Sequence, residues 1–381
     1  MKVTGVKTYV IENEPGVRTG GGGQTEEWYI GGKYFLILEL STDEGIVGIG
    51  EKLTGSSFSG KMTWKDFKSQ IQLVHETVEA FVVGKDPFDI ERIYYDMYAG
   101  RHDYRLPSLH FGMVISGIEM ALWDIAGKAL KLPVYKLLGA FRDKMPAYAS
   151  FIQLPAEKDY VNLALQCKER GYRAIKLHPY WGGDWRRDIA LCRAVREAVG
   201  DEMILMLDPC MAYDRWGAMK VGRALDELNF YWYEDPLPET DISAYVDLCR
   251  SLDVAMAEAE AMGLRTLAEY IRRDATDILK CGLEGGITGV LKAAHLAEAF
   301  DLKCEPHSWG SALEQAACFH AMLAMENCDF FELPVPEGIM DHVSKDVIRI
   351  DEEGYVHALK APGLGLEVDF EAVDRAIVKV L

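Results

Sequence analysis

Three short segments decide the architecture: ILMLDP at 204–209, YWYEDP at 231–236 and AMAEAE at 255–260. Each is an apolar run of strand length that closes on a carboxylate. Asp208, Glu234 and Glu260 stand 26 and then 26 residues apart, the span of one strand, one helix and their loops. The same unit repeats on both sides. Strands are expected at Ala147–Phe151, Ala174–His178, Ile204–Asp208, Tyr231–Glu234, Ala255–Glu260, Asp277–Lys280, Leu302–His307 and Phe330–Glu332. Helices fill the intervals, one from near Ala156 to a stop at Gly171, another from near Arg186 to a stop at Gly200. Eight strands of parallel type, each followed by a helix, predict a (β/α) barrel. An open doubly wound sheet has the same spacing, but no GxGxxG turn follows the first strand.

Before residue 140 the pattern differs. Lys2–Glu12 and Tyr34–Leu40 alternate polar and apolar residues, and Gly45–Gly50 follows a Thr42-Asp43-Glu44 turn signal. Trp64–Val82, Phe88–Tyr98 and Ile115–Leu130 then carry apolar residues three and four apart, as helices do. Between the first strands, Asn13–Gly32 contains Gly20 to Gly23 in a row and reads as a mobile loop. These features divide the chain into an α+β domain over 1–140, a barrel over 141–353 and a turn-rich tail over 354–381.

Composition narrows the function. The net charge of −19 over 381 residues repels phosphate backbones, so no nucleic-acid partner is expected. No apolar run has the length of a membrane span, and MKVTGVKTYV lacks the core of a signal peptide. Eight scattered cysteines without a CxxC pair read as reduced thiols of a cytoplasmic protein.

The carboxyl ends of barrel strands form the reactive face. Here they carry Lys176 and His178, then Asp208, Glu234, Glu260, Lys280, His307 and Glu332. Any one acid at a strand end is more often a helix cap or an ion-pair partner. Three on successive strands repel one another unless a cation sits among them, and an all-oxygen set suits Mg²⁺. Lys176 and His178 share one face of their strand, while Lys280 and His307 come from the opposite wall. A divalent ion flanked by proton carriers fits abstraction of the proton α to a carboxylate, with the enediolate stabilised by the ion and a lysine.

At this point the sequence resembles the mandelate racemase/muconate lactonizing enzyme branch of the enolase superfamily over nearly its whole length. The resemblance rests on GIGE at 48–51, SGIEMALWDIAGKALKLPVYKLLGA at 116–140 and RAIKLH at 173–178. It continues through the three acid segments, GGIT at 285–288, EPHSWG at 305–310 and PGLG at 362–365. It implies a (β/α)7β TIM-type barrel under an α+β enolase-like capping domain completed by the C-terminal tail. It places Asp208, Glu234 and Glu260 at the metal and makes Lys176, His178, Lys280 and His307 the catalytic candidates. It also implies a homo-oligomer, a dimer or an octamer. Four positions depart from the pattern. His178 replaces the second lysine of KxK, and Lys280 stands where a racemase-like relative has an aspartate. Ala259 replaces a common glycine, and Cys210 replaces a histidine or asparagine.

The chemistry expected is dehydration of a sugar acid to a 2-keto-3-deoxy acid. His178 or Lys280 would take the α-proton and His307 would protonate the leaving hydroxyl. The Lys176 ammonium is expected to keep His178 neutral. Lys280 has a bland reading as an ion-pair partner that only tunes charge, and Cys210 reads as a small filler. The alternatives are a two-base racemase or epimerase, and a non-catalytic binding protein on the same scaffold. Glu332, Trp28 and Arg18 are candidate substrate contacts, with Ser57, Trp181 and Trp185 as further wall residues. The loops at Asn13–Gly32 and Thr54–Lys61 are expected to cover the mouth.

Overall fold

The computed structural model describes residues 1–12, 16–19, 25–28, 34–53, 64–99, 108–180, 182–260, 262–341, 344–371, 373 and 377–380. The N-terminal part begins with strands β1 (Val3–Glu12), β2 (Gly16–Thr19), β3 (Thr25–Trp28), β4 (Tyr34–Thr42) and β5 (Val47–Leu53). β1, β4 and β5 form an antiparallel meander. β2 and β3 pair with each other, Gly16 opposite Trp28 and Thr19 opposite Thr25. Part of the stretch expected as a loop is therefore a pair of antiparallel strands; the run of four glycines between them in sequence outweighed the short segments on either side. Helices α1 (Trp64–Phe81), α2 (Ile90–Ala99), α3 (Ser108–Leu130) and α4 (Val134–Leu137) follow. α3 begins a full two turns before the periodicity alone suggested.

α3 is the element against which both halves pack. Its Ile115, Ile118, Ala121, Leu122 and Ile125 are buried with Leu36, Leu38 and Leu40 of β4. β5 crosses it backbone against backbone. A Cβ on Gly50 would lie 1.9 Å from the Gly117 carbonyl oxygen, and one on Gly48 would lie 2.1 Å from that of Ala121. Only glycine allows this approach, which explains the GIG spacing. Two acids of α3 reach outward. Asp124 accepts from Ile49 N at 2.8 Å and Leu364 N at 2.9 Å, and pairs with Lys128 at 2.6 Å. Glu119 is discussed below with the helix that it caps.

The barrel alternates strictly. β6 (Lys144–Phe151) leads through α5 (Glu157–Arg170) to β7 (Ala174–Leu177), and α6 (Trp185–Val199) leads to β8 (Ile204–Leu207). Then come α7 (Arg215–Glu227), β9 (Trp232–Glu234), α8 (Ile242–Ser251), β10 (Ala255–Glu258), α9 (Leu264–Arg272) and β11 (Ile278–Leu279). The last units are α10 (Gly286–Glu298), β12 (Lys303–Cys304), α11 (Ala312–Met322) and β13 (Phe331–Val335). These eight strands pair in the order β12-β11-β10-β9-β8-β7-β6-β13, all parallel. Seven helices and eight strands make a (β/α)7β barrel. Gly171 ends α5 in a left-handed conformation, φ 108°, and Gly200 follows α6 at φ 79°.

β12 and β13 share no strand ladder among the described residues. The seam is bridged by Cys304 N donating to Asn327 O at 2.8 Å and by the Glu305 carboxylate, which accepts from Asp329 N at 2.6 Å and Phe330 N at 3.2 Å. Inside the barrel, Tyr148, Ala174, Met206, Trp232, Ala257 and Ile278 form one layer. Tyr148 and Trp232 meet edge to face, with ring centres 5.3 Å apart.

The Glu119 carboxylate accepts from Ile287 N (2.8 Å), Thr288 N (2.9 Å), Thr288 Oγ1 (2.5 Å) and Trp123 Nε1 (2.6 Å). It thereby caps the N-terminus of α10 from another part of the chain, which explains the GGIT segment. After the barrel, β14 (Tyr355–His357) runs antiparallel to β6. The PGLG turn docks on α3 and α4, Gly363 N donating to Leu132 O and Val134 N to Gly363 O. β15 (Ile377–Val380) then pairs antiparallel with β1. No helix among the described residues is long and apolar enough to cross a membrane.

Candidate active site

Alternation within each strand sets the site above the interior layer. Ala174, Met206, Trp232 and Ile278 face inward, so Lys176 and His178, Asp208, Glu234 and Lys280 follow them toward the mouth. Glu260 breaks this rule, because Ala257 is the inward residue of β10. Ala259 adopts φ 76°, and that left-handed step brings Glu260 back to the mouth. The family pattern's glycine at this position is thus a conformational requirement that an alanine meets here at a cost of about 1–2 kcal/mol.

Lys176 is the hub. Its Nζ lies 2.9 Å from Glu234 Oε1, 2.9 Å from Glu332 Oε1 and 3.6 Å from Asp208 Oδ2, with no exposure to solvent. Burial opposes its charge, but these carboxylates raise its pKa well above the ordinary lysine value. Lys280 Nζ lies 3.5 Å from Glu234 Oε1 and 3.4 Å from Tyr148 Oη, and its pKa is also raised. Glu234 Oε2 accepts from Trp232 Nε1 at 3.0 Å.

The two histidines sit in opposite environments. His178 Nε2 is 2.9 Å from Asp208 Oδ2, and its Nδ1 is 2.5 Å from the Phe151 carbonyl oxygen. Burial and Lys176 favour the neutral ring, but the Asp208 contact prevails and raises the pKa. The expected effect of Lys176 on His178 is thus present but outweighed by the carboxylate in direct contact, which favours the protonated ring. Asp208 is correspondingly held below the usual carboxylate range by His178 and Lys176, despite burial. His307 Nε2 lies 3.5 Å from Glu260 Oε1, and burial lowers its pKa to about 4. At pH 7 His307 is neutral.

Glu332, expected to touch substrate, is fully buried. Its Oε1 accepts from Lys176 and from Ser150 Oγ at 2.8 Å, and its Oε2 accepts from Ser308 N at 3.0 Å. It is thus held among Lys176, Ser150 and Ser308. Arg18 and Trp28 lie on β2 and β3, with side chains outside the described residues; Ser57, the Thr54–Lys61 loop and Trp181 also lie outside them. Trp185, the first residue of α6, packs edge-on against Trp216 of α7, with ring centres 6.1 Å apart. Two residues went unnoticed in the sequence. Ser150 is in phase with inward Tyr148 and could have been found by alternation. Trp309 Nε1 donates to Ser150 Oγ at 2.7 Å, and its ring packs edge-on against His178 at 5.7 Å.

The donor set fits a divalent cation. Four carboxylates, Asp208, Glu234, Glu260 and Glu332, share the mouth with two lysines, Lys176 and Lys280, so ionising all of them leaves an excess of acid that a bound dication would relieve. Glu260 shows the strain: burial, then Glu234 and Asp208, push its pKa up to about 8.

Comparison with known proteins identifies the family. A family model described as enolase C-terminal domain-like matches residues 159–373. The mandelate racemase/muconate lactonizing enzyme N-terminal domain model matches residues 29–139. A D-galactonate dehydratase of Variovorax paradoxus is 31% identical over 90% of this chain and 91% of its own. An L-talarate/galactarate dehydratase of Salmonella typhimurium is 32% identical over 71% and 67% respectively. The crystal structure of D-glucarate dehydratase from Agrobacterium tumefaciens, complexed with magnesium, superposes with a TM-score of 0.85 at 30% identity, covering all of both chains. With the barrel, the three acids and these matches in hand, the chain belongs to the mandelate racemase/muconate lactonizing enzyme family of the enolase superfamily.

Proposed function

We propose that the protein dehydrates a sugar acid to a 2-keto-3-deoxy acid, with Mg²⁺ held by Asp208, Glu234 and Glu260. Bound there, the ion would lend positive charge to the substrate carboxylate as its α-carbon loses a proton. Lys176 and Lys280 add fixed positive charge on the same side, and their raised pKa values suit them to that role rather than to proton abstraction.

The observation that carries the proposal is the contrast between the two histidines' surroundings: Asp208, 2.9 Å from His178, favours its protonated form, while burial favours neutral His307. Environments that push two titratable groups apart assign acid and base. His307, neutral at pH 7, accepts the α-proton through Nε2. His178, whose protonated form Asp208 favours, gives its proton to the departing β-hydroxyl, which leaves as water. The C–H and C–O bonds break, and the enol that remains tautomerises to the 2-keto acid. These roles are the reverse of those suggested by the sequence. The relatives named as sugar-acid dehydratases support the substrate class.

The test is a panel of aldonic and aldaric acids with Mg²⁺ in D₂O. Wild-type enzyme should form keto acid. His178→Asn should still exchange the α-proton for deuterium but lose dehydration by about 10²-fold or more, whereas His307→Asn should lose both. Exchange surviving in His307→Asn and lost in His178→Asn would overturn the assignment. Inversion at the α-carbon with deuterium uptake and no keto acid would replace dehydration by the racemase reading.

A further inference from the structure

A second set of ligands shares the mouth with the three carboxylates. His178, Asp208 and Cys210 each place one ligating atom within 4.8 Å of the other two. Their elements differ in character. His178 extends β7, Asp208 extends β8, and Cys210 lies in the turn that follows Asp208. Cys210 and the next residue, Met211, both adopt left-handed backbone, φ 52° and 61°, without being glycine. Such a pair of residues is sparsely populated and is held here by specific contacts. Cys210 N donates to Asp208 Oδ1 at 2.8 Å, and Met211 N donates to Asp235 O at 2.7 Å. The turn folds Sγ back over Asp208, 4.0 Å from its carbonyl oxygen, while Cys210 stays exposed at the mouth.

An imidazole, a carboxylate and a thiol in one cluster are not a magnesium set. Thiolate and imidazole select zinc, cobalt and their neighbours, whereas Mg²⁺ keeps to oxygen. Around a tetrahedral zinc with bonds of about 2.0–2.3 Å, ligand atoms lie about 3.3–3.8 Å apart. The 2.9 Å His178–Asp208 contact would open slightly and the other spacings would close by up to about an ångström.

We propose that His178 Nε2, Asp208 Oδ2 and Cys210 Sγ form a second metal site, selective for thiophilic divalent ions such as Zn²⁺ and Co²⁺. Asp208 belongs to both sites, so the ions compete. The Cys210 thiol proton passes to solvent as the metal–sulfur bond forms, and any proton on His178 Nε2 leaves likewise as the metal–nitrogen bond forms. Occupancy ties up the His178 nitrogen and blocks turnover, which makes the protein a Mg²⁺-dependent enzyme that zinc can silence. The site rests on these three side chains and not on any particular substrate.

The test is an optical titration of chelator-stripped full-length protein with Co²⁺. Wild type should develop a thiolate-to-cobalt charge-transfer band in the near ultraviolet that saturates at one equivalent. Cys210→Ser and Cys210→Ala, both with wild-type circular dichroism and melting, should lack it. His178→Gln should weaken binding at least tenfold, and excess Mg²⁺ should weaken it through Asp208. Glu260→Gln should keep the band, since Glu260 belongs to the oxygen set alone. No band in wild type would overturn the site. So would a band that persists in both Cys210 variants, which would move the metal to other thiols such as the Cys281–Cys304 pair, whose sulfurs are 3.6 Å apart. The readout needs no catalysis, so its failure leaves the dehydratase reading standing, and failure of that reading leaves this result intact.

Discussion

Replacing Glu260 by glutamine should stabilise the metal-free protein, and more so as the pH rises. With its pKa near 8, Glu260 stays protonated in the folded state between pH 4.5 and 8, while the unfolded chain releases that proton. The unfolded state then binds one proton fewer, so stability falls by about 1.36 kcal/mol per pH unit. The contribution of the neutral acid is complete below pH 4.5 and is lost as the pH rises through 8. Between pH 5 and 7 the loss is about 2.7 kcal/mol. A chain of this length has an unfolding entropy of about 0.8 kcal/mol/K, so that loss lowers Tm by about 3 °C. Glutamine carries no charge at any pH and should remove this slope. Other buried carboxyls titrate in the same range, among them Glu51, pushed up to about 7, and Glu284, pushed up to about 8. The informative quantity is therefore the difference between variant and wild type, measured by thermal unfolding after metal stripping from pH 5 to 8. Mg²⁺ should raise the wild-type Tm increasingly toward pH 8 and leave Glu260→Gln nearly unmoved. A variant whose Tm follows wild type in parallel at every pH would refute the reasoning.

Four further outcomes follow from single contacts. Ala259→Gly should relieve the left-handed strain and gain up to about 1 kcal/mol after the extra unfolded-state freedom of glycine, seen as a small rise in denaturation midpoint. Gly50→Ala should drive a Cβ into the Gly117 carbonyl and cost about 3 kcal/mol or more; a soluble protein with wild-type Tm would contradict that packing. Glu119→Ala orphans two buried amide donors of α10 and should cost about 3–5 kcal/mol, with Glu119→Gln milder, by denaturant unfolding. Lys176→Met removes the cation that touches Glu332 and leaves Glu234 with Lys280 alone; it should destabilise by about 3–5 kcal/mol at pH 7, an effect that shrinks as acidification protonates Glu332.

Much of the barrel was legible because its strands are buried on both faces and end in charge. Such runs announce their own length, and the 26-residue interval counts the units. Lys176, Asp208 and Glu234 followed from alternation once the strands were placed. Glu260 did not: a strictly alternating β10 would point it away, and the left-handed Ala259 that redirects it leaves no mark in composition. Nor could the histidines be ranked from sequence. His178 follows Lys176 by two residues, but the group that governs it, Asp208, comes from the next strand at 2.9 Å. Glu332 ends a strand, which marks it as a site candidate, but its partners Ser150 and Ser308 come from other strands and loops and cannot be read from its own segment. The pairing of β2 and β3 was obscured by four glycines, whose freedom says nothing of the short paired segments on either side.

The anchoring of α3 limits how this molecule can open. Asp124 binds β5 on one side and the PGLG turn on the other, and Glu119 reaches the start of α10 in the barrel wall. Both acids are buried, and separating either from its donors would strand a carboxylate and several amides without water. No hinge axis can pass between the meander and the barrel without breaking these bonds. Substrate entry and product release must therefore use the rim segments, with the frame beneath them acting as one rigid body. A change of substrate needs only a change of rim: the three carboxylates and their lysines can stay in register while the segments above them are rewritten.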